Sequence, residues 1–257
     1  MKLLFDDRGA EIKQKKFAHV FLTLDGSALE CNLRHRSNKD FMMSRPSQFP
    51  SAEEQRLLGD IRALTSAIGL PQLHFFSEGS RGASTTEVSE HIEQFLRRYA
   101  FEMLVPFEFP VIRDAYLHTE RNEASELVNL DWRLRNDLRL GAVAVASQAA
   151  GQKQLRRLRA LRDQRVIRKY SKAVDANLAF GWHTIVYGMT LAVYSFPLVE
   201  GMRHYAEQTI GGLALEALKE HPALSLSHSD LATTMVAQLS VQIASVTRCE
   251  QVLRMIP

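Results

Sequence analysis

The stretch GWHTIVYGMTLAVYSFPLVEGMRHYAEQTIGG, residues 181–212, decides the fold of this 257-residue chain. Its first half belongs to a longer run, residues 176–199, that contains no Asp, Glu, Lys or Arg. A membrane span needs about 20 mostly aliphatic residues. This run instead has Trp, His, Thr, Tyr and Ser side chains scattered along it, and Gly188 and Pro197 interrupt it. We therefore predict a helix that is buried on all sides within a globular protein.

Two residues of this run predict how the helix packs and where it stops. Gly188 has no side chain, so we expect a neighbouring helix to approach closely there. Pro197 lacks a backbone N–H group and clashes with the preceding turn, so we expect it to end the helix, with an amphipathic helix following it. His183 is either a ligand or proton carrier, or a hydrogen-bonded histidine at the start of the helix, which is the favoured interpretation. We expect His204, in the second helix, to be exposed.

The composition is that of a soluble globular protein, with 46% hydrophobic and 24% charged residues and a net charge of +3. Cys31 and Cys249 stand near opposite ends of the chain without CxxC spacing, which is typical of a reduced intracellular protein. The first residues, MKLLFDDRGAEIKQKK, carry acids where a signal peptide needs a continuous apolar core. We therefore expect a cytoplasmic location.

The first forty-five residues differ in pattern from the rest. Apolar and polar residues alternate in residues 17–24 and 28–33, on either side of Asp25-Gly26, which indicates a β-hairpin. Residues 36–50 are rich in Ser, Asn and Pro, as linkers are. We predict a β-rich N-terminal appendage, residues 1–45, and an all-helical domain, residues 46–257.

Helical periodicity begins after Pro50. Ser51 with Glu54, and Ser84 with Glu87, each have the spacing of a capping box before an apolar stripe. Further apolar positions recur at helical spacing in three places, at Leu57, Leu58, Ile61, Leu64 and Ile68, at Leu127, Leu130, Leu134 and Leu138, and at Leu231, Met235, Leu239, Ile243 and Val246. The pattern predicts an all-α multi-helix bundle of roughly seven to nine helices.

No catalytic or metal-binding motif stands out in the sequence. The histidines are dispersed and form neither HExxH nor an i, i+4 pair, so we predict no catalytic residues and no metal ligands. The segment EGSRGAST, residues 78–85, lacks the spacing and the lysine of a phosphate-binding loop.

The strongest concentration of charge lies between Lys153 and Lys172, where nine Lys or Arg residues accompany a single acid, Asp163. Such a segment could neutralise several phosphates of a nucleic acid. However, Tyr170 is its one aromatic residue, and leucines lie between the arginines. We interpret the segment as the solvated face of an amphipathic helix, which favours a charged docking surface for a protein partner over a nucleic-acid site.

Four short motifs follow one another in the C-terminal two-thirds of the chain. They are Ser-x-x-x-Gly at Ser147 and Gly151, His-x-x-x-x-Gly at His183 and Gly188, Leu-Ser-x-x-Asp ending at Asp230, and an Ala-Ser pair followed by Glu at Ala244, Ser245 and Glu250. Their order and spacing resemble those of the UreF-type urease accessory proteins.

The two ends of the helical region depart from the pattern of that family. In LPQLHFFSEGSRG, Ser77 and Gly79 agree with the family's N-terminal motif, but Ser80 and Arg81 replace its Leu-Glu. Cys249 stands where the family usually has His, and Arg254 is the counterpart of the arginine in the family's C-terminal tail.

The resemblance implies an all-helical, cytoplasmic and non-enzymatic adapter for nickel insertion into urease. Its implied partners are a UreD/UreH-type accessory protein, a UreG-type GTPase and apo-urease, and it is expected to form a homodimer. The complex would handle nickel, with no cofactor bound permanently. The implied partner-binding residues are His74, Phe76, Ser77, Gly79, Arg248, Glu250 and Arg254. The implied packing positions are Ser147, Gly151, His183, Gly188, Asp230 and Ser245.

Overall fold

The computed structural model describes residues 50–62, 64–67, 84–141, 143–161, 164–221, 224 and 227–253. The chain divides into two units, residues 1–47 and 48–257, and all described residues belong to the second. The β-rich appendage predicted for residues 1–45 therefore lies outside them, as do His74, Phe76, Ser77, Gly79 and Arg254. The side chains of Arg248 and Glu250 are outside the description too, although their backbone is helical.

The described residues form helices and no strand. In chain order the helices are α1 (Ala52–Leu58), α2 (Thr85–Tyr99), α3 (Phe109–Glu120), α4 (Ala124–Arg135), α5 (Ala144–Leu158), α6 (Arg165–Asp175), α7 (His183–Val193), α8 (Leu198–Glu220) and α9 (His228–Leu253). A π-helix, Ala100–Glu108, joins α2 to α3, and a 3₁₀ turn, Leu138–Leu140, precedes α5. The predicted all-α multi-helix bundle is confirmed.

Both predicted capping boxes are present. At the start of α2 the Glu87 N–H donates to the Ser84 hydroxyl at 3.3 Å, and the Ser84 N–H donates to the Glu87 carboxylate at 2.7 Å. The backbone N–H and the hydroxyl of Ser84, which both donate to the Glu87 carboxylate, lower the pKa of Glu87. Ser51 and Glu54 form the same pair before α1. The stripe that begins in α1 is broken after Leu58, because Gly59 takes a φ of 91° and ends the helix.

The helical segment from Thr85 to Glu120 continues through a proline. Pro106 lies inside the π-helix. A proline in an α-helix has no N–H to donate, and its ring clashes with the carbonyl group four residues earlier. The wider i to i+5 turns of a π-helix make room for the ring, so the segment continues instead of ending.

Helix α7 joins two hydrophobic cores. Nine of its eleven residues are buried. One core packs α2 against α8 and α9, and the other packs α4, α5 and α6 together, and α3 and α7 supply residues to both. A Cβ atom at Gly188 would collide with the Ile112 carbonyl oxygen and would lie 2.9 Å from the Ala115 Cβ atom. The prediction that Gly188 permits close approach of a neighbouring helix is confirmed, and that neighbour is α3.

The buried run was also compared with the requirements of a membrane span. Among the described residues, no helix has both the length and the apolar character that a transmembrane segment needs. The sequence-based rejection of a membrane span for residues 176–199 agrees with this finding.

The end of α7 differs from the prediction by three residues. The helix ends at Val193 because Ser195 turns the chain with a φ of 56°. The Phe196 N–H donates to the Leu191 carbonyl at 2.8 Å and the Ser195 N–H to the Ala192 carbonyl at 3.0 Å, which is a Schellman motif. Pro197 then serves as the first flanking residue of α8.

Replacing Ser195 with glycine is expected to stabilise the protein. A left-handed conformation costs a non-glycine residue about 1 kcal/mol, and the exposed Ser195 pays this cost in a position that glycine fills without strain. We expect Ser195→Gly to raise the free energy of unfolding by about 1 kcal/mol and the melting temperature by about 2–4 °C. The measurement is calorimetry alongside Ser195→Val, which should melt lower than the wild type. A glycine variant that melts below the wild type would refute the assignment.

Candidate functional site

The start of α7 is where three of the family-motif residues meet. The His183 N–H donates to the Ser147 hydroxyl at 3.3 Å, so a side chain of α5 caps α7. One turn further along α5, a Cβ atom at Gly151 would collide with the Gly181 carbonyl oxygen and would lie 2.7 Å from the His183 nitrogen. The Ser-x-x-x-Gly spacing therefore has a physical reason: the serine accepts the free amide, and the glycine allows two backbones to touch.

A buried carboxylate, Asp131 of α4, holds the segment that leads into α7. Its two oxygens accept the Phe180 N–H at 2.7 Å, the Gly181 N–H at 3.0 Å and the Tyr170 hydroxyl at 2.6 Å. The Trp182 indole N–H donates to the Asp131 carbonyl at 3.1 Å. One residue of α4 thus links α6 and the approach to α7. Position 181 favours glycine, because its φ of +74° lies in the left-handed region that other residues rarely adopt.

Burial raises the pKa of Asp131, and the hydrogen bonds that it accepts act in the opposite direction. A buried carboxylate needs such donors because an unpaired charge in the protein interior is costly. Asp131 belongs to none of the motifs named from the sequence. The signal that reveals it is an acid on the apolar stripe of Leu127, Leu130 and Leu134, a place where a charged residue requires partners.

A second buried polar centre lies between α2, the π-helix and α8. The Tyr99 hydroxyl donates to the Glu108 carboxyl at 2.6 Å, and both side chains are buried. Burial raises the pKa of Glu108, and burial together with the Glu108 charge raises the pKa of Tyr99 and Tyr205. The sequence analysis missed Glu108 as well, although it is an isolated acid in the otherwise apolar stretch PFEFPVI.

His183 connects the start of α7 to this centre. Its ring stacks on Tyr205 with centroids 5.7 Å apart and tilts against Tyr187 at 6.0 Å. Burial lowers the pKa of His183 from 6.5 to about 4, so the imidazole is neutral at pH 7. Within the described ranges, no three His, Cys, Asp or Glu side chains are grouped as a metal ion would require. His183 lies at the start of the helix, as the favoured interpretation has it, but the hydrogen bond expected of its ring is not found among the described residues, where the ring Nδ1 is buried without a partner.

Two of the implied packing positions are at the surface. Asp230 is exposed in the first turn of α9, where its N–H lies 3.4 Å from the Ser227 hydroxyl. Ser245 is exposed and donates to the Gln242 carbonyl of its own helix at 2.8 Å. Both make contacts within or beside their own helix, and neither is buried against another helix as the other family-motif positions are. His204 was expected to be exposed, and this prediction was wrong. The residue is buried because α8 packs against other helices on several sides.

The basic segment forms two helices, which corrects its interpretation as one amphipathic helix. Helix α5 ends at Leu158 and α6 begins at Arg165. The Arg159 guanidinium pairs with Asp175 at 2.5 Å, which connects the turn to the end of α6. Tyr170 is fully buried against Asp131, so the one aromatic residue of the segment is turned away from solvent.

We predict that removing the Asp131 carboxylate destabilises the whole protein. Asp131→Ala leaves two buried backbone amides and a tyrosine hydroxyl without acceptors, so we expect a loss of about 3 kcal/mol or more in the free energy of unfolding. Asp137→Ala is the matched control, because its carboxylate lies near the surface and bonds only the guanidinium and the backbone N–H of Arg139, and its loss should cost about 1 kcal/mol. Denaturant unfolding measures both, and equal losses would contradict the role given to Asp131.

The lowered pKa of His183 predicts a specific loss of stability in acid. Between pH 6.5 and about 4, His183 is protonated in the unfolded chain and neutral in the folded protein. The contribution of His183 to the free energy of unfolding is therefore complete above pH 6.5. About 3 kcal/mol of it is lost as the pH falls to 4. His183→Phe keeps an aromatic ring without the titration. We expect the unfolding free energy of the wild type to fall more steeply than that of the variant. Parallel pH curves would rule this out.

Comparison with known proteins assigns this arrangement to a family. The sequence model of the UreF family matches residues 87–235, which is more than half of the chain. The matched region runs from α2 into α9, and it contains Asp131 and the contacts around the start of α7. A search of curated proteins found no match. On the strength of the family match, the chain belongs to the UreF family of urease accessory proteins.

Proposed function

We propose that this protein is a non-catalytic adapter in the insertion of nickel into urease. It bridges a UreD/UreH-type accessory protein and a UreG-type GTPase and presents them to apo-urease in the cytoplasm. Nickel is cargo of the assembled complex, and this chain keeps no permanent cofactor. The adapter works as a homodimer.

The observation that carries this proposal is the family match over residues 87–235, since members of the family have a urease accessory role. Support also comes from what the buried polar groups do. Asp131 and Ser147 accept backbone amides around the start of α7 and lie on two other helices, α4 and α5. Each of these groups therefore has a place in holding helices together, as an adapter needs.

Nucleic-acid binding through residues 153–172 is the alternative that the charge of the segment suggests. Single-stranded nucleic acids are bound by cations combined with exposed aromatic rings on which bases stack. Here Tyr170 is buried, and the cations are divided between two helices. A basic surface without an exposed ring in that segment favours an acidic protein partner.

Reconstitution with the two expected partners tests the proposal. We expect the tagged chain to retain a UreD-type protein and a UreG-type GTPase from the same source, and to restore nickel-dependent urease activity in cells that lack it. Reversing Arg248, Glu250 and Arg254 together should weaken partner binding about tenfold or more, because interfacial charges determine which partners bind. Affinity is measured by titration calorimetry, and helical content by circular dichroism.

A matched control reverses the same kinds of charge elsewhere. Glu93, Arg97 and Arg98 are exposed on α2, and reversing them changes the net charge by the same amount. This control should bind as the wild type does. Failure to retain either partner would contradict the adapter role. Retention of both without activation of urease would point to another metalloenzyme as the client.

A further inference from the structure

An aromatic patch lies on the surface next to the Asp131 anchor. We define the Trp132 patch as Trp132 and Arg135 of α4, with Leu178 and Phe180 from the segment between α6 and α7. Trp132 is 41% exposed and Leu178 is 58% exposed. The Trp132 and Phe180 rings meet edge to face, with centroids 5.5 Å apart. The patch is thus built from two separate elements whose apolar side chains meet at the surface.

The patch is held in place by directed contacts. The Trp132 indole N–H donates to the Leu178 carbonyl at 2.8 Å. The Arg135 guanidinium lies over the Trp132 ring at 5.1 Å and over the Phe180 ring at 5.0 Å. On the buried side, Asp131 accepts the Phe180 N–H. A surface that is ordered before binding loses little conformational entropy when a partner arrives.

The fold does not account for the exposure of Trp132. The neighbouring Asp131 and the buried Trp182 already connect α4 to the approach to α7. Trp132 adds to this connection while leaving a large apolar ring in water. Tryptophan and arginine are the residues most enriched at the energetic centres of protein interfaces. An ordered Trp–Arg pair beside an exposed leucine has the composition of such a centre.

The charges around the patch define its partner. Arg133 and Arg135 are exposed, and among the described residues neither pairs with an acid. Two acids close in sequence to the patch are already paired, Asp137 with Arg139 and Asp175 with Arg159. An entering acidic segment therefore meets two guanidinium groups without an acidic partner among the described residues, one of which, that of Arg135, also lies over the Trp132 and Phe180 rings.

We propose that the Trp132 patch docks an acidic segment of a protein partner in the urease accessory complex. An apolar side chain of that segment packs on Trp132 and Leu178, and its carboxylates pair with Arg133 and Arg135. A nucleic-acid base fits less well, because Trp132 is the one exposed ring of the patch, whereas single-stranded nucleic acids are bound by several exposed rings in succession. This assignment rests on the adapter role proposed above, and it locates one of the contacts.

Fluorine NMR of the full chain tests the assignment. The chain has two tryptophans, so 5-fluorotryptophan labelling gives one signal from the exposed Trp132 and one from the buried Trp182. Trp132→Phe identifies the first signal. We expect the addition of unlabelled UreD-type and UreG-type proteins to shift or broaden the Trp132 signal and to leave the Trp182 signal in place.

Affinity measurements with variants complete the test. Trp132→Ala and Arg135→Glu should each weaken binding of the partner about tenfold or more. The second variant keeps the Trp132 hydrogen bond, so it reports on docking even if the first variant is less stable. The control is Phe101→Ala, which removes a similarly exposed ring, 38% accessible, from another surface. It should bind normally.

The outcomes separate this inference from the proposed function. If the complex forms with an unchanged Trp132 signal and both variants bind normally, the inference is overturned while the adapter role stands. If the wild type binds neither protein, the adapter role fails and the docking assignment fails with it. A shift of the Trp132 signal with a single-stranded oligonucleotide, but not with the proteins, overturns the assignment in favour of nucleic acid.

Discussion

The backbone contact between α3 and α7 at Gly188 is the constraint on which the rest of the structure depends. A side chain at this position would meet the carbonyl oxygen of Ile112, so the two helices could not cross at this distance. Because α3 and α7 supply residues to both hydrophobic cores, the crossing holds the two halves of the bundle together. Separating these helices would expose the interior of both halves.

The crossing has to be matched by accurate placement of the start of α7. Buried polar groups place it, since Ser147 accepts the first amide of the helix and Asp131 accepts the amides of Phe180 and Gly181 in the segment that leads into it. The hydrophobic effect is non-directional and would permit the helix to slide or rotate. Hydrogen bonds to buried acceptors are directional, and a wrong position would leave amides unpaired at a cost of about 1–3 kcal/mol each. Apolar packing therefore provides the stability, and the polar contacts select one arrangement.

The parts of this structure that sequence patterns predicted are those with a local cause. The capping boxes at Ser51 and Ser84 depend on residues three positions apart, and the last helix follows from a regular apolar stripe. The Gly188 contact and the position of His183 at the start of a helix could also be predicted. Both follow from the uncharged run, which indicates a helix that is buried on all sides. Features with a non-local cause were missed. From the sequence, Pro106 is expected to break a helix, and only the structure shows the π-helix that contains it. His204 is expected to be exposed, because the helices that pack around α8 cannot be seen in the sequence.

Asp131 and Trp132 show why a site can escape both kinds of reasoning. Adjacent residues on a helix point about 100° apart, so α4 sends one side chain into the core and the next to the surface. On the buried side, Asp131 accepts hydrogen bonds from the amides of Phe180 and Gly181. On the exposed side, the Trp132 indole N–H donates to the Leu178 carbonyl. The segment that leads into α7 is thus hydrogen-bonded on both sides, by the consecutive residues Asp131 and Trp132. The same few bonds therefore place both the approach to α7 and the surface around Trp132. Because these bonds are present before a partner binds, docking at this surface would lose little conformational entropy.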